Sequence, residues 1–174
     1  MAALTTTLVL GGARSGKSTF AERLVRDSGL ACTFIATATA GDEEMHARIA
    51  RHREQRDTSW RTVEEPLAIA EVIARESAAG RVILIDCLTL WLSNLIHADS
   101  DVETQTRNLL AAVNRSQSPL VLVSNEVGLG IVPDTPLGRR FRDAQGRLNQ
   151  EIAAAAPNVV LLAAGIPLWL KRVS

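Results

Sequence analysis

The chain has 174 residues, 47% of them hydrophobic, and its 19 basic residues are balanced by 19 acidic ones. This length and apolar content suit one substantial core, so we expect residues 1–174 to form a single domain. Because the charges balance, no overall field draws the protein to nucleic acid or to an anionic membrane. Any recognition of phosphate must therefore be local.

Two compositional features bear on location. No apolar run reaches the roughly 18 residues that a membrane span requires, and residues 1–7 lack the regions of a secretory signal. Cys32 and Cys87 are too few and too far apart for a disulfide framework or a metal knuckle, so we expect reduced thiols in the core. These features predict a cytoplasmic protein.

A phosphate-binding loop follows the first predicted strand, residues 8–10, and precedes a predicted helix at 19–26. Its G-x-x-x-x-G-K-S pattern consists of Gly11, Gly12, Ala13, Arg14, Ser15, Gly16, Lys17 and Ser18. Glycines at both ends of the loop let successive N–H groups approach phosphate oxygens, and the positive end of the helix faces the anion. We expect Lys17 to reach the β- and γ-phosphates and Ser18 to bind Mg²⁺.

Strands and helices alternate along the rest of the chain. Strands are predicted at 31–37, 60–63, 81–86 and 120–125, and helices at 45–56, 66–79, 88–97, 102–116 and 135–156. Runs at 159–163 and 168–170, separated by Gly165 and Pro167, fit a closing hairpin. The order predicts an α/β fold: a P-loop NTPase domain whose mostly parallel sheet has helices on both faces and a C-terminal antiparallel hairpin.

Asp86 ends an apolar strand, the pattern of a Walker B carboxylate that holds Mg²⁺ opposite the phosphate-binding loop. Many strands end on Asp as a helix cap, but the complete loop motif favours the metal role. We therefore expect Ser18 and Asp86 to be the metal ligands, at the carboxyl ends of the strands, where ligands gather in such folds.

Arg48, His52 and Arg56 are spaced four apart in the predicted helix at 45–56 and share one face. The two guanidinium groups disfavour protonation of the imidazole. A neutral imidazole beside phosphate-binding groups can attack phosphorus and accept a nucleotidyl group. Spacing alone leaves open the alternative of a solvated basic helix face.

The chain resembles the bifunctional adenosylcobinamide kinase / adenosylcobinamide-phosphate guanylyltransferase family of cobalamin biosynthesis. The resemblance rests on GGARSGKS at 11–18, FIATA at 34–38, DEEMHARIARHREQR at 42–56, WRTVEE at 60–65, LIDCLTLWLSNL at 84–95, VSNEVGLGIVP at 123–133 and FRDAQGRLNQ at 141–150. It covers essentially the whole chain. The patterns RIxxHRxxR and SNEVGLGIVP are far more specific than a phosphate-binding loop.

The resemblance implies two reactions. The first phosphorylates adenosylcobinamide with ATP or GTP, with Lys17 as a catalytic residue; the second moves GMP from GTP through a covalent intermediate on His52, giving GDP-adenosylcobinamide. The nucleotide contacts implied beyond the loop are Thr37, Ala38, Thr39, Arg53, Glu54, Gln55, Arg56, Glu64 and Asp86. Relatives often have Glu at position 86, so whether the shorter Asp86 binds Mg²⁺ directly or through water stays open.

The resemblance also implies a homotrimer, and the apolar run at 88–96 is a candidate for its contact. The expected partners are small molecules, with no nucleic acid and no membrane span. Two alternatives stay open from the residues themselves. One is a monofunctional P-loop small-molecule kinase or NTPase, for which the loop and Asp86 suffice; the other is a non-enzymatic nucleotide switch, which would have to signal without an additional domain.

Overall fold

A seven-stranded sheet organises the protein in this computed structural model, which describes residues 4–38 and 60–173. The strands are β1 (Thr7–Gly11), β2 (Ala31–Ala36), β3 (Arg61–Glu64), β4 (Arg81–Asp86), β5 (Leu120–Asn125), β6 (Asn158–Ala163) and β7 (Ile166–Lys171). Their order in the sheet is β3-β2-β4-β5-β1-β6-β7, and every pairing is parallel except the antiparallel β6–β7 pair. The α/β fold with a closing hairpin is confirmed.

Five helices belong to the described residues: α1 (Lys17–Ser28), α2 (Ile69–Glu76), α3 (Leu88–His97), α4 (Val102–Arg115) and α5 (Pro136–Ala155). The predicted helix at 45–56 lies outside the described residues. So do the predicted site residues Thr39, His52, Arg53, Glu54, Gln55 and Arg56.

The helix predicted at 66–79 is wrong at both ends, since α2 spans only Ile69–Glu76. Before it, the Glu65 carboxylate accepts the backbone N–H groups of the next turn at 2.9 Å and holds that turn outside the helix. After it, Ser77 is extended, and its hydroxyl accepts the N–H of Gln117 at 2.7 Å. Side-chain hydrogen bonds to the backbone thus compete with helix extension at both ends.

Alternate strand residues pack into two cores on opposite faces of the sheet. On β4, Val82 and Leu84 join the cluster that contains Phe20 of α1, whereas Ile83 and Ile85 join the cluster under α2, α3, α4 and α5. All four of these β4 residues are buried, as expected for a strand covered by helices on both faces. This alternation establishes which face each site residue occupies.

Helix α3 is apolar nearly all round because its own chain covers it. Leu88, Trp91, Leu92 and Leu95 are at most 1% exposed and belong to the larger core cluster. These four positions therefore need no second subunit to cover them. Across the described residues, no helix has both the length and the apolar character that a membrane crossing demands.

The C-terminal hairpin is longer than predicted. β7 begins at Ile166, so Pro167 lies inside the strand rather than between two runs. Proline is tolerated there because β7 is an edge strand, so no neighbouring strand on its outer side needs a backbone N–H donor from it. The turn residues Ala164 and Gly165 have φ of 51° and 80°, the left-handed pair typical of a two-residue hairpin turn.

Both cysteines are free and buried, as predicted. Burial is the main cause that raises the pKa of Cys32 to about 12, and the pKa of Cys87 to about 11. The two thiols are therefore protonated at neutral pH and serve as small core side chains.

Candidate nucleotide-binding site

The phosphate-binding loop leaves β1 at Gly11 and enters α1 at Lys17, as its motif predicts. Gly11 has φ 153°, and a Cβ there would lie 2.5 Å from the Leu162 carbonyl oxygen and 2.6 Å from Ser15 Oγ. Gly16 has φ 94° and a Cβ there would lie 3.3 Å from the Cα of Gly165. Both glycines are thus required by conformation and by close approach of neighbouring backbone.

Lys17 lies inside the loop rather than in solvent. Lys17 is only 7% exposed, and its Nζ donates to the Gly12 carbonyl oxygen at 2.5 Å. The Ser15 N–H donates to the same carbonyl at 3.3 Å and closes the turn. Gly16, the N-cap residue of α1, caps the helix with no side chain. A positive ammonium and the first-turn N–H groups therefore converge at one place, which suits phosphate.

Asp86 projects from the face of the sheet on which α1 packs. Val82 and Leu84 contact the α1 cluster, and Asp86 is the next residue of the same parity in β4. The neighbouring Cys87 thiol reports both charges. Its pKa is raised first by burial and then by the negative charge of Asp86, while the positive charge of Lys17 lowers it. The charges of Asp86 and Lys17 therefore both act on the same thiol, at the end of β4.

The donor set at this edge suits Mg²⁺. The described residues contain no group of three or more His, Cys, Asp or Glu side chains that could hold a metal by themselves. Mg²⁺ does not need such a group, because it keeps several waters and binds through one or two protein oxygens together with substrate phosphates. The Ser18 hydroxyl on the first turn of α1 and the Asp86 carboxylate supply oxygens of that kind.

Thr37 supports the end of β4 from the end of β2. It is fully buried; its hydroxyl donates to the Cys87 carbonyl and accepts the Cys87 N–H, both at 2.8 Å. Asn94 of α3 donates to the Thr37 carbonyl at 2.8 Å. These bonds hold the backbone that follows Asp86. The predicted contacts of Thr37 and Ala38 with nucleotide stay predictions.

Glu64 lies level with Asp86 across the sheet. Both pair in register with Ala36 of β2, so the three residues share one face at the carboxyl edge. Two strand spacings of about 4.8 Å put the two Cα atoms roughly 10 Å apart. Glu64 is exposed, and its predicted contact with nucleotide stays a prediction.

Sequence reasoning missed the buried polar side chains that hold the end of β5 beside the loop. The Glu126 N–H donates to the Gly11 carbonyl at 3.0 Å. The Asn125 backbone is held on both sides, because its N–H donates to Thr89 Oγ1 at 2.8 Å and its carbonyl accepts from Asn149 Nδ2 at 3.0 Å. Asn149 and Gln145, four apart on α5, are buried amides that bond to each other. Two amide residues four apart on an otherwise apolar helix face are the sequence signal that could have indicated this support.

A cavity of about 460 Å³ lies away from this site, between α2 and α4. Its lining includes Ala74, Ser77, Asn108 and Arg115, and no residue of the loop or of the strand ends discussed above. Within the part of the chain that the structure describes, Gly12 and Arg14 of the loop are exposed.

A family model and two similar proteins indicate the same family for this chain. The family model described as cobinamide kinase / cobinamide phosphate guanyltransferase matches residues 7–170. The bifunctional adenosylcobalamin biosynthesis protein CobP of Pseudomonas aeruginosa is 51% identical over 166 residues, covering 94% of this chain and 96% of the relative. CobU of Escherichia coli, described in the same words, is 42% identical over 179 residues, covering 94% of this chain and 98% of the relative.

Solved structures with far lower identity share the fold. A structure of a Pyrococcus horikoshii OT3 protein aligns with TM-score 0.59 at 10% identity, over 99% of this chain and 89% of the other. A solved ATPase domain aligns with TM-score 0.52 at 12% identity, over 90% of this chain and 68% of the other. These likenesses support the P-loop NTPase architecture.

Proposed function

The chain belongs to the cobinamide kinase / cobinamide phosphate guanyltransferase family, and on that premise we propose that it catalyses both reactions named in the family's description. In the first, adenosylcobinamide receives the γ-phosphoryl group of ATP or GTP. In the second, the phosphorylated product receives GMP from GTP, giving GDP-adenosylcobinamide. The observation that supports this proposal best is the complete phosphate-binding loop between β1 and α1, with Asp86 ending β4 on the face of the sheet against which α1 packs.

For the kinase reaction, the loop amides and the Lys17 ammonium bind the β- and γ-phosphates and balance the charge that spreads over the transferring group. The substrate hydroxyl oxygen forms the new bond to the γ-phosphorus, the bond to the β,γ-bridging oxygen breaks, and the hydroxyl proton leaves to solvent. Mg²⁺, when bound by Ser18 and Asp86, supplies further charge neutralisation at the phosphates. Asp86 acts as a metal carboxylate rather than as a general base, because a loose transition state needs little early deprotonation.

For the guanylyltransferase reaction, the neutral imidazole of His52 attacks the α-phosphorus of GTP, and pyrophosphate leaves. A phosphate oxygen of adenosylcobinamide phosphate then attacks the same phosphorus, and the N–P bond breaks to return the imidazole. Residues 39–59 follow directly on Ala38, which succeeds β2 at the carboxyl edge where the loop and Asp86 lie. That connection supports a histidine supplied from this segment, with Arg53, Glu54, Gln55 and Arg56 as its nucleotide contacts.

A labelling experiment tests the covalent step. The protein is incubated with Mg²⁺ and GTP radiolabelled at the α-phosphorus, and we expect acid-labile, base-stable label on the wild type. His52→Ala removes the label and His46→Ala retains it, because position 46 falls outside the RIxxHRxxR pattern. Equal labelling of the two variants would contradict the assignment, and an unlabelled wild type with corrinoid-dependent ATP turnover would favour a monofunctional kinase.

Product analysis tests the whole pathway of group transfer. With GTP, Mg²⁺ and adenosylcobinamide present, mass spectrometry of the corrinoid should show the phosphate first and the GDP adduct later. His52→Ala should accumulate the phosphate, because it blocks only the second transfer. Nucleotide turnover without any change in the corrinoid would favour a nucleotide switch and refute the proposal.

We also propose that residues 1–174 act as a single kinase and guanylyltransferase domain and assemble as a homotrimer. Ile166, Leu168 and Leu170 support assembly, because they form one exposed apolar face of the edge strand β7, at 70%, 58% and 56% exposure. Sedimentation equilibrium of the wild type should give a trimer, and Leu168→Asp should lower the mass. A monomeric wild type would refute the trimer.

A cytoplasmic location accompanies the proposal, since ATP and GTP are supplied there and both cysteines are free thiols. Cell fractionation with an antibody to the chain tests this location. Recovery in a membrane or extracellular fraction would refute it.

A further inference from the structure

The turn of the C-terminal hairpin contacts the back of the phosphate-binding loop. The Gly165 N–H donates to the Ser15 carbonyl at 2.9 Å. At the same place Gly16 approaches the Gly165 backbone so closely that a Cβ on Gly16 would lie 3.3 Å from the Gly165 Cα. The loop therefore rests on a turn that lies roughly 150 residues later in the chain and outside the loop motif.

A second contact joins the same hairpin to the helix that follows the loop. The Trp169 ring of β7 meets the Phe20 ring of α1 edge to face, with centroids 6.2 Å apart. The guanidinium of Arg23 lies over the Phe20 ring at 5.3 Å, and that of Arg172 lies over the Trp169 ring at 4.7 Å. The hairpin thus contacts α1 as well as the loop.

We propose that the β6–β7 turn is a positioning element for the triphosphate, and that the Gly165 N–H acts by orienting the Ser15–Gly16 peptide of the loop. A peptide whose carbonyl is held from behind has its N–H directed toward the other side, where the phosphates bind. Because that carbonyl is satisfied by Gly165, the loop keeps the amide arrangement that phosphate needs before nucleotide arrives. This inference rests on the proposed nucleotide-binding function.

Position 165 permits a sharp substitution. Its φ of 80° suits glycine or asparagine, and a Cβ there would meet nothing within 4 Å. Gly165→Val disfavours this conformation and moves the N–H, whereas Gly165→Asn keeps both the conformation and the donor. Gly80 provides a matched control at the other edge of the sheet, because it has φ 79° and the same open surroundings.

The test is direct binding of GTP, measured by titration calorimetry at a temperature where circular dichroism shows each variant folded. We expect Gly165→Val to raise the Kd for GTP roughly 3- to 10-fold, the range of one net hydrogen bond. Gly165→Asn and Gly80→Val should bind as the wild type does, although Gly80→Val melts earlier. Equal Kd values for Gly165→Val and Gly80→Val would overturn the inference, because a merely structural role predicts that result.

Hydrogen exchange of the wild type keeps the inference testable if Gly165→Val does not fold. GTP and Mg²⁺ should slow exchange in a peptide covering residues 161–168 as well as in the loop peptide, and leave the turn at Gly80 unchanged. Slower exchange in the loop peptide alone would overturn the inference. A wild type that binds neither GTP nor ATP would instead refute the proposed function, so the two failures are distinguishable.

Discussion

Replacing Gly11 with alanine should damage the loop far more than replacing its neighbour Gly12. A Cβ on Gly11 would lie 2.5 Å from the Leu162 carbonyl oxygen, whereas a Cβ on Gly12 would meet nothing within 4 Å. The Ser15 hydroxyl, at 2.6 Å from the same Cβ, can rotate away. The Leu162 carbonyl cannot retreat easily, because Gly11 and Leu162 are partners in the β1–β6 ladder.

The expected cost has two parts. Overpacking a close-packed site costs about 1–3 kcal/mol, and a non-glycine residue at a φ such as the 153° of Gly11 costs about 1–3 kcal/mol more. The two costs together give about 2–6 kcal/mol, so a loss of about 4 kcal/mol is the central expectation. For a domain of this size each kcal/mol lowers the melting temperature by about 2–4 °C, so Gly11→Ala should melt about 8–16 °C below the wild type.

Thermal unfolding of the ligand-free variants, followed by circular dichroism, checks this value. Gly12→Ala should stay within about 0.5 kcal/mol of the wild type, as is usual for an open position. Both variants add one methyl group to the same loop, so the difference between them isolates the close approach to β6. If the two variants melted within about 2 °C of each other, the reasoning from the Gly11 contacts would be refuted.

Three further predictions concern charge. Lys17→Ala should abolish both reactions, which corrinoid phosphorylation and label transfer from GTP would measure. Glu76→Gln, at the opposite edge of the sheet, is the control, and it should lower the melting temperature without weakening GTP binding. Unchanged kinase turnover in Lys17→Ala would contradict the role of Lys17 in binding phosphate. Asp86→Asn should shift activity to higher Mg²⁺ concentrations, and an unchanged Mg²⁺ titration would argue against a metal carboxylate. The pKa of Cys87 is raised to about 11 from an ordinary 9.0, so the contribution of this thiol to the free energy of unfolding is complete below pH 9 and is lost as pH rises toward 11. Cys87→Ser should reduce that loss of unfolding free energy by about 2–3 kcal/mol, measured by urea unfolding at each pH. An identical pH dependence in the variant would contradict this prediction.

Glu76 illustrates why a buried carboxylate need not indicate a catalytic site. It is 5% exposed, and its oxygens lie 3.0 Å from Arg61, 3.2 Å from Arg75 and 3.9 Å from Arg81. These arginines come from β3, α2 and β4, and Arg61 and Arg81 are the first residues of their strands. Glu76 therefore joins three elements at the amino edge, opposite to the nucleotide site. Nothing local in the sequence distinguishes it from Glu71 on the same helix.

The central strands and the mostly parallel character of the sheet were predictable from local patterns. The strands Arg81–Asp86 and Leu120–Asn125 match the predicted bounds, since each is an apolar run with a polar residue at its carboxyl end. Such runs need helical crossovers to pair in parallel, and that requirement restricts the fold strongly. The ends of α2 and the start of β7 were not predictable in this way. Side-chain bonds from Glu65 and Ser77 decided the former, and pairing with β6 decided the latter.

The candidate site, like the fold, has parts that were predictable from the sequence and parts that were not. The loop and Asp86 were predictable because their chemistry depends on residues that are adjacent in the chain. The support from Gly165 and Glu126 was not, since each reaches the loop through strands that pair with β1 across long sequence separations. The identity of His52 as nucleophile rests on its motif and stays a prediction.

The way in which a triphosphate would lie on the loop explains why the two transfers would use different groups. A triphosphate whose β- and γ-phosphates lie on the loop has its γ-phosphorus next to Lys17, so one set of amides and one ammonium can serve the kinase reaction. The α-phosphorus of the same nucleotide lies farther from that ammonium, and pyrophosphate becomes the leaving group that the loop already binds. The loop then stabilises the leaving group in one reaction and the transferred group in the other. The second reaction therefore needs a nucleophile from outside the loop, which is the role we propose for His52.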